Sequence, residues 1–203
     1  ASSINYAKKY VPAILHAWFP GEFCGQAVAE TIFGDNNPGG RLAVTFPKSV
    51  GQIPFAFPFK PGSDSGCGTS VTGALFPFGH GLSYTQFSIS NLRSDKNLMN
   101  QNDSITFTVN VKNTGKRAGA ETIQLYIHDV KASVDRPYKE LKGFQKVYLQ
   151  PGESKDVNIT INKQALSFYD ETAASWKAEA GKFEALVGNA SDQLKLKKAF
   201  ELK

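Results

Sequence analysis

The side chains able to do chemistry are few and scattered along the 203 residues. Glu22 follows the apolar run Val11–Trp18 and precedes a stretch with helical spacing. A carboxylate just past the C-terminal end of a strand sits where open α/β sheets place their sites. The same carboxylate also favours the start of a following helix through the helix dipole. Asp64 lies in the tract Gly62-Ser63-Asp64-Ser65-Gly66-Cys67-Gly68, where a loop carboxylate either reaches a cleft or is simply solvated. Trp18 offers a flat aromatic face or a core side chain. His16, His80 and His128 show no metal-ligand spacing, and His80, between two glycines, reads as a packing or turn residue. Cys24 and Cys67 cannot build a disulfide scaffold or an all-cysteine zinc site; they either pair or stay free, and two isolated thiols is the simpler reading. The glycine-rich run Gly34–Gly40 ends a helix rather than opening one and lacks the Lys-Ser/Thr of a phosphate loop.

Composition narrows the class further. The net charge is +5, with dispersed basic residues, which is too mild a footprint for nucleic acid. The densest cluster, Lys195, Lys197 and Lys198, falls in an alternation that marks a strand with one wet face and a lysine-guarded edge. No run approaches the roughly 18 apolar residues of a membrane span. Aromatics make up 12% of the chain, with 18 glycines and 10 prolines, a mixture that favours a β-rich, turn-rich protein.

The elements that must position these residues fall into two parts. Residues 1–86 read as strand, helix, strand: Val11–Trp18 as a buried strand, Gln26–Phe33 as a helix with Ala27, Val28, Thr31 and Ile32 on its apolar face, and Arg41–Phe46 as a second strand. One β-α-β unit cannot cover both faces of its sheet. The expectation is therefore an α/β fragment completed by polypeptide that the sequence does not include. Residues 48–75 form a long irregular segment in which Phe55, Phe57 and Phe59 alternate, suggesting part of it runs as an extended strand. Residues 87–203 switch to two-residue alternation, clearest in Ile105–Val111 and Val157–Ile161. Trp176–Ala178 and Phe183–Val187 read as a pair joined at Ala180-Gly181, and Leu194–Leu202 closes the set. Seven or eight such strands are the pattern of an all-β immunoglobulin or fibronectin type III-like sandwich.

Four segments in this order resemble the C-terminal region of family 3 glycoside hydrolases. They are Ala17–Glu22 with Gly25-Gln26-Ala27; Phe33–Leu42 (FGDNNPGGRL); Phe78–Thr85 (FGHGLSYT), with His80 where Tyr is common; and Glu140–Phe144 with Leu149–Glu153. The resemblance implies an α/β sandwich domain ending near residue 86, then a fibronectin-like domain. It also implies a retaining β-glycosidase acting on terminal β-linked glucose or xylose of oligosaccharides, with no cofactor and no metal. The family's nucleophile and acid/base lie upstream of the matched segments, so no catalytic residue is expected in this chain. Trp18, Glu22 and Asp64 remain as candidate substrate-binding residues, with Trp18 stacking on a sugar ring. The implied partners are the upstream barrel and sandwich regions of the same polypeptide and the oligosaccharide substrate, with no nucleic acid and no membrane. A truncated sheet would also invite self-association. The opening residues show no signal-peptide pattern, so the resemblance alone carries the expectation of a periplasmic or secreted enzyme. A non-catalytic carbohydrate-binding or adhesion module is the alternative reading.

Overall fold

A computed structural model describes residues 2–63 and 70–203. The chain opens with a short helix, α1 (Asn5–Tyr10), which no sequence signal had marked. A coil leads to α2 (Cys24–Phe33), closed by Gly34 in the left-handed conformation, as a C-terminal glycine cap requires. Strand β1 (Phe46–Pro47) pairs antiparallel with β2 (Ala74–Phe76).

The β-α-β expectation does not hold in the structure. Residues 11–18 form no strand and are exposed throughout. A strand is held by a neighbour's ladder of hydrogen bonds, and among the described residues no strand lies beside them. Of Arg41–Phe46 only Phe46 joins a strand; upstream, the Leu42 amide donates to the His80 carbonyl (2.9 Å) and the Gly79 amide to that of Leu42 (2.7 Å). The Phe55–Phe59 stretch is not a strand either. Its prolines remove ladder donors, and its rings pack on each other, Phe55 against Phe59 at 4.7 Å.

The rest of the described chain is a two-sheet sandwich. In chain order the strands are β3 (Phe87–Ser94), β4 (Leu98–Met99), β5 (Ser104–Asn113), β6 (Gly119–Asp129), β7 (Glu140–Leu149) and β8 (Ser154–Asn162). After a short helix, α3 (Lys163–Leu166), come β9 (Phe168–Asp170), β10 (Ser175–Lys177), β11 (Gly181–Gly188) and β12 (Leu194–Leu202). One sheet runs β3-β5-β8, the other β4-β12-β11-β6-β7. Alternation explains the core: Ile105, Phe107, Val109 and Val111 of β5 turn inward against Ile123, Leu125 and Ile127 of β6, all at most 2% exposed. The opposite side of β5 is a ladder of polar rungs to β8, with Thr106 bonded to Thr160 (2.9 Å) and Thr108 to Asn158 (2.7 Å). Such outward hydroxyl and amide pairs keep a wet face stable without burying polar atoms. Most of β12 is an edge, since β4 pairs only with Glu201 and Leu202. Its exposed Lys195 and Lys197 therefore stand where edge protection is needed. One pairing differs from expectation. Trp176 lies on a separate ribbon with β9, not with β11, because β11 is already flanked by β6 and β12.

Candidate functional site

The exposed loop ahead of α2 carries two of the three candidate residues. Trp18 has a positive φ of 52° and is 51% exposed. The His16 ring meets it edge-on at 4.2 Å, and Phe46 packs against both rings. Trp18 is therefore a half-open wall of a small aromatic cluster rather than a sealed core residue. Glu22 is exposed two residues ahead of α2, and it follows no strand. Among the described residues no hydrogen bond or ring contact joins it to Trp18. Asp64 and Cys67 lie outside the described residues. Cys24 is a free, exposed thiol.

The structure brings together a different set of side chains, at the joint between the opening region and the sandwich. Asn37 is its hinge pin: its amide donates to the Ala118 carbonyl (2.8 Å), while its side-chain oxygen accepts from the Ser83 hydroxyl and the Tyr84 amide (2.8 Å each). The Tyr84 hydroxyl donates to the last turn of α2 at Thr31 (2.7 Å). Arg117 reaches the Gly34 carbonyl at the helix end (2.9 Å), where a cation suits the dipole. Arg41 binds Glu121 through Nη2 (2.6 Å) and Nε (3.1 Å), and their side chains are 7% and 2% exposed. Glu121 also accepts from the Thr122 amide and the Asn189 side chain, so both of its oxygens are hydrogen-bonded.

Next to this pair, the outer face of β6 is capped by the loop of residues 77–81. Gln124 donates to the carbonyls of Gly79 (3.3 Å) and Asn189 (2.6 Å) and accepts from the Tyr126 hydroxyl (2.5 Å). Burial, reinforced by Asp192, pushes the Tyr126 hydroxyl well above its usual range, so it acts as a fixed donor. The Phe57 ring lies between Phe78 (4.9 Å) and Tyr126 (5.7 Å). Gly79 has φ +82°, and a Cβ there would meet Gln124 at 2.2 Å, so only glycine fits both the turn and the close approach. His80 is half-buried and stacks on Phe76 at 5.3 Å. Burial lowers its pKa, with Arg41 and Lys8 acting the same way and Asp192 opposing. Burial likewise pulls Lys139 down while its ammonium donates to the Ser191 carbonyl (2.5 Å).

These contacts join the opening region to the sandwich. The inward carboxylates are each held by an arginine: Glu121 by Arg41, and Asp129 and Glu140 by Arg136 at 3.2 and 2.5 Å. Their oxygens are occupied by these contacts. Among the described residues no group of three or more His, Cys, Asp or Glu side chains is placed to hold a metal ion.

Residues 2–84 match the glycosyl hydrolase family 3 C-terminal domain, and residues 121–191 match the fibronectin type III-like domain. The chain is 43% identical to a thermostable β-glucosidase B of Acetivibrio thermocellus, over 93% of this chain and 27% of that protein. It is also 43% identical to a periplasmic β-glucosidase of Salmonella typhimurium, over 94% of this chain and 26% of that protein. The solved β-glucosidase of Erythrobacter marinus superposes with a TM-score of 0.90 at 38% identity, over 97% of this chain and 26% of that one. The chain belongs to the C-terminal region of glycoside hydrolase family 3. It spans about a quarter of the length of the relatives it matches.

In this family 3 region the motifs legible in the sequence have a shared task. FGDNNPGGRL and FGHGLSYT are the two halves of the clasp, supplying Asn37 and Arg41 from one and Gly79, Ser83 and Tyr84 from the other. In the Glu140–Phe144 motif, Gly143 lets the sheets approach, since a Cβ there would meet Ile159 at 2.5 Å. The buried Arg41–Glu121 pair was not anticipated. Its only sequence signal is the arginine that follows Gly39-Gly40, whose acidic partner lies 80 positions away.

Proposed function

We propose that the polypeptide carrying this chain is a retaining β-glycosidase that releases terminal β-linked glucose from oligosaccharides. This chain would supply scaffold and part of the cleft wall. The observation that carries the reading is identity above 40% over nearly the whole chain to two β-glucosidases. Retaining hydrolysis needs two carboxyl groups about 5–5.5 Å apart across the scissile bond, and the buried Glu121 and half-buried Asp129 and Glu140 are committed to arginines instead. Trp18 and Glu22, on the open loop ahead of α2, are the proposed cleft-facing contacts, together with Asp64. Residues 1–86 close an α/β layer, and 87–203 form the fibronectin-like domain.

The exposed apolar residues of the opening region support a covering partner, which we assign to the upstream barrel and sandwich regions of the same polypeptide. Phe19 is fully exposed, and Phe23 and Phe33 are 70% and 82% exposed; side chains of that size are normally buried when a surface is available. Self-association of the isolated chain through the same face is the competing arrangement. A periplasmic or secreted location is proposed from the naming of the Salmonella relative. Among the described residues no helix is long and apolar enough to cross a membrane.

An aryl β-glucoside assay tests the reading. The 203-residue chain should show no turnover, while the polypeptide including the upstream regions should release β-glucose with retained anomeric configuration, followed by NMR. Turnover by purified 203-residue chain, or inversion by the longer polypeptide, would overturn it.

A further inference from the structure

Trp176 is the more open of the two tryptophans, 68% exposed against 51% for Trp18. It is nevertheless held firmly. It sits directly opposite Tyr169 on the β9–β10 ribbon, with the rings edge-to-face at 5.8 Å. The ribbon's turn is fixed by Asp170, whose carboxylate accepts from the amides of Thr172 (3.0 Å) and Ala173 (3.1 Å). A large indole that is both exposed and positioned is unusual unless something lies against it.

Two open grooves of about 420 Å³ each meet at this indole, both also lined by Asn162, Gln164 and Ser167. One continues past Asn102 and Lys163, the other past Lys142. Both are open to solvent, so a ligand would lie along them rather than be enclosed. Among the described residues the side-chain amides of Asn102 and Gln164 make no hydrogen bond, so their donors and acceptors are free for a ligand. The charges nearby are largely cancelled: Asp103 faces Lys96, Lys142 faces Glu140 and Lys177 faces Glu179. Lys163 is the one lining charge without a partner among the described residues.

We propose that the β9–β10 ribbon and α3 form a second glycan-binding surface, which takes a neutral oligosaccharide across Trp176. The CH face of a pyranose ring lies on the indole, and hydroxyls, donors and acceptors at once, pair with the free amides on either side. Lys163 is the only uncompensated lining charge among the described residues, so the free amides and the indole rather than charge set the ligand class, and two grooves meeting at one ring suit a chain of several sugar units. The surface lies on elements other than those carrying Trp18 and Glu22. Binding there needs no hydrolysis, so it stands independently of the catalytic reading.

Isothermal titration of the 203-residue chain with cellotetraose, xylotetraose and maltotetraose tests the proposal. At least one should bind saturably, with a Kd on the order of 1 mM. Trp176→Ala should weaken it by about tenfold or more, Gln164→Ala by less, and Tyr148→Ala, an exposed aromatic on β7, not at all. Circular dichroism and the thermal midpoint establish that each variant is folded. Absence of saturable binding by all three sugars, or unchanged binding by Trp176→Ala or by folded Gln164→Ala, would sink the proposal. So would sedimentation showing that the wild-type chain dimerises and Trp176→Ala does not, which would assign the surface to self-contact. None of these outcomes bears on turnover by the longer polypeptide.

Discussion

The sandwich and the opening region are built from similar residues, yet they end in opposite states. In the sandwich, the inward-facing residues of β5 and β6 are almost wholly buried. In the opening region the ten-residue helix α2 buries only Thr31, and Ile32 and Phe33 stand 64% and 82% exposed. Amphipathic pattern says which face of an element needs cover. It does not say where the cover comes from. The strands of the sandwich find theirs within the chain, because two sheets can close on each other. The helix and coil of residues 11–33 have no second layer among the described residues. The opening region is instead anchored at one end, by the polar clasp of Asn37, Arg41 and Tyr84 on the sandwich.

Four substitutions sharpen that contrast, beginning with the largest effect. Phe107→Ala removes a 2% exposed ring and should lower unfolding stability by about 3–5 kcal/mol. Phe23→Ala, at 70% exposure, should change it by less than about 0.5 kcal/mol. Equal losses in chemical denaturation would mean that the opening region shares the sandwich's packing. Arg41→Ala leaves the Glu121 carboxylate buried and unpaired, at a cost of about 3 kcal/mol. Adding Glu121→Gln should recover part of that loss, because a neutral amide is less costly to bury than an orphaned charge; no recovery would mean that the arginine contributes by packing alone.

Stability also depends on pH. Burial holds the folded pKa of His80 below 6.5, so the folded state favours the neutral ring. As pH falls below about 6.5, the unfolded chain takes up a proton that the folded chain does not, and stability declines until the lowered folded pKa is passed. Between those limits stability rises with pH. His80→Asn should flatten this segment of the stability–pH curve, and an unaltered slope would exclude His80 as its source.

Much of the sandwich was legible because two-residue alternation is a local signal. The spans of β5, β8 and β12 follow directly from their apolar spacing, and the turns at Asn113-Thr114-Gly115 and Pro151-Gly152 follow from their residue types. The partner of Trp176 was not legible. Strands separated by a short turn normally pair with each other, but β11 had both its edges taken, and β10 folded back on β9 instead. The clasp was half legible. FGDNNPGGRL and FGHGLSYT stood out as motifs, but their shared contacts span more than 40 positions, and no periodicity reports a pairing of that kind.

The residues of this chain by themselves determined where most strands and turns of the sandwich and the helix α2 would form, since these follow from side-chain spacing, from glycine's freedom at positive φ and from proline's missing donor. They also carried the family resemblance, which is a matter of local motifs. Only the tertiary structure decided that residues 11–18 remain a coil, that Arg41 is buried against Glu121, and that Trp176 faces solvent between two grooves. Each of those depends on whether a distant surface arrives to supply hydrogen bonds, charge or cover, and proximity in space is not written in proximity along the chain.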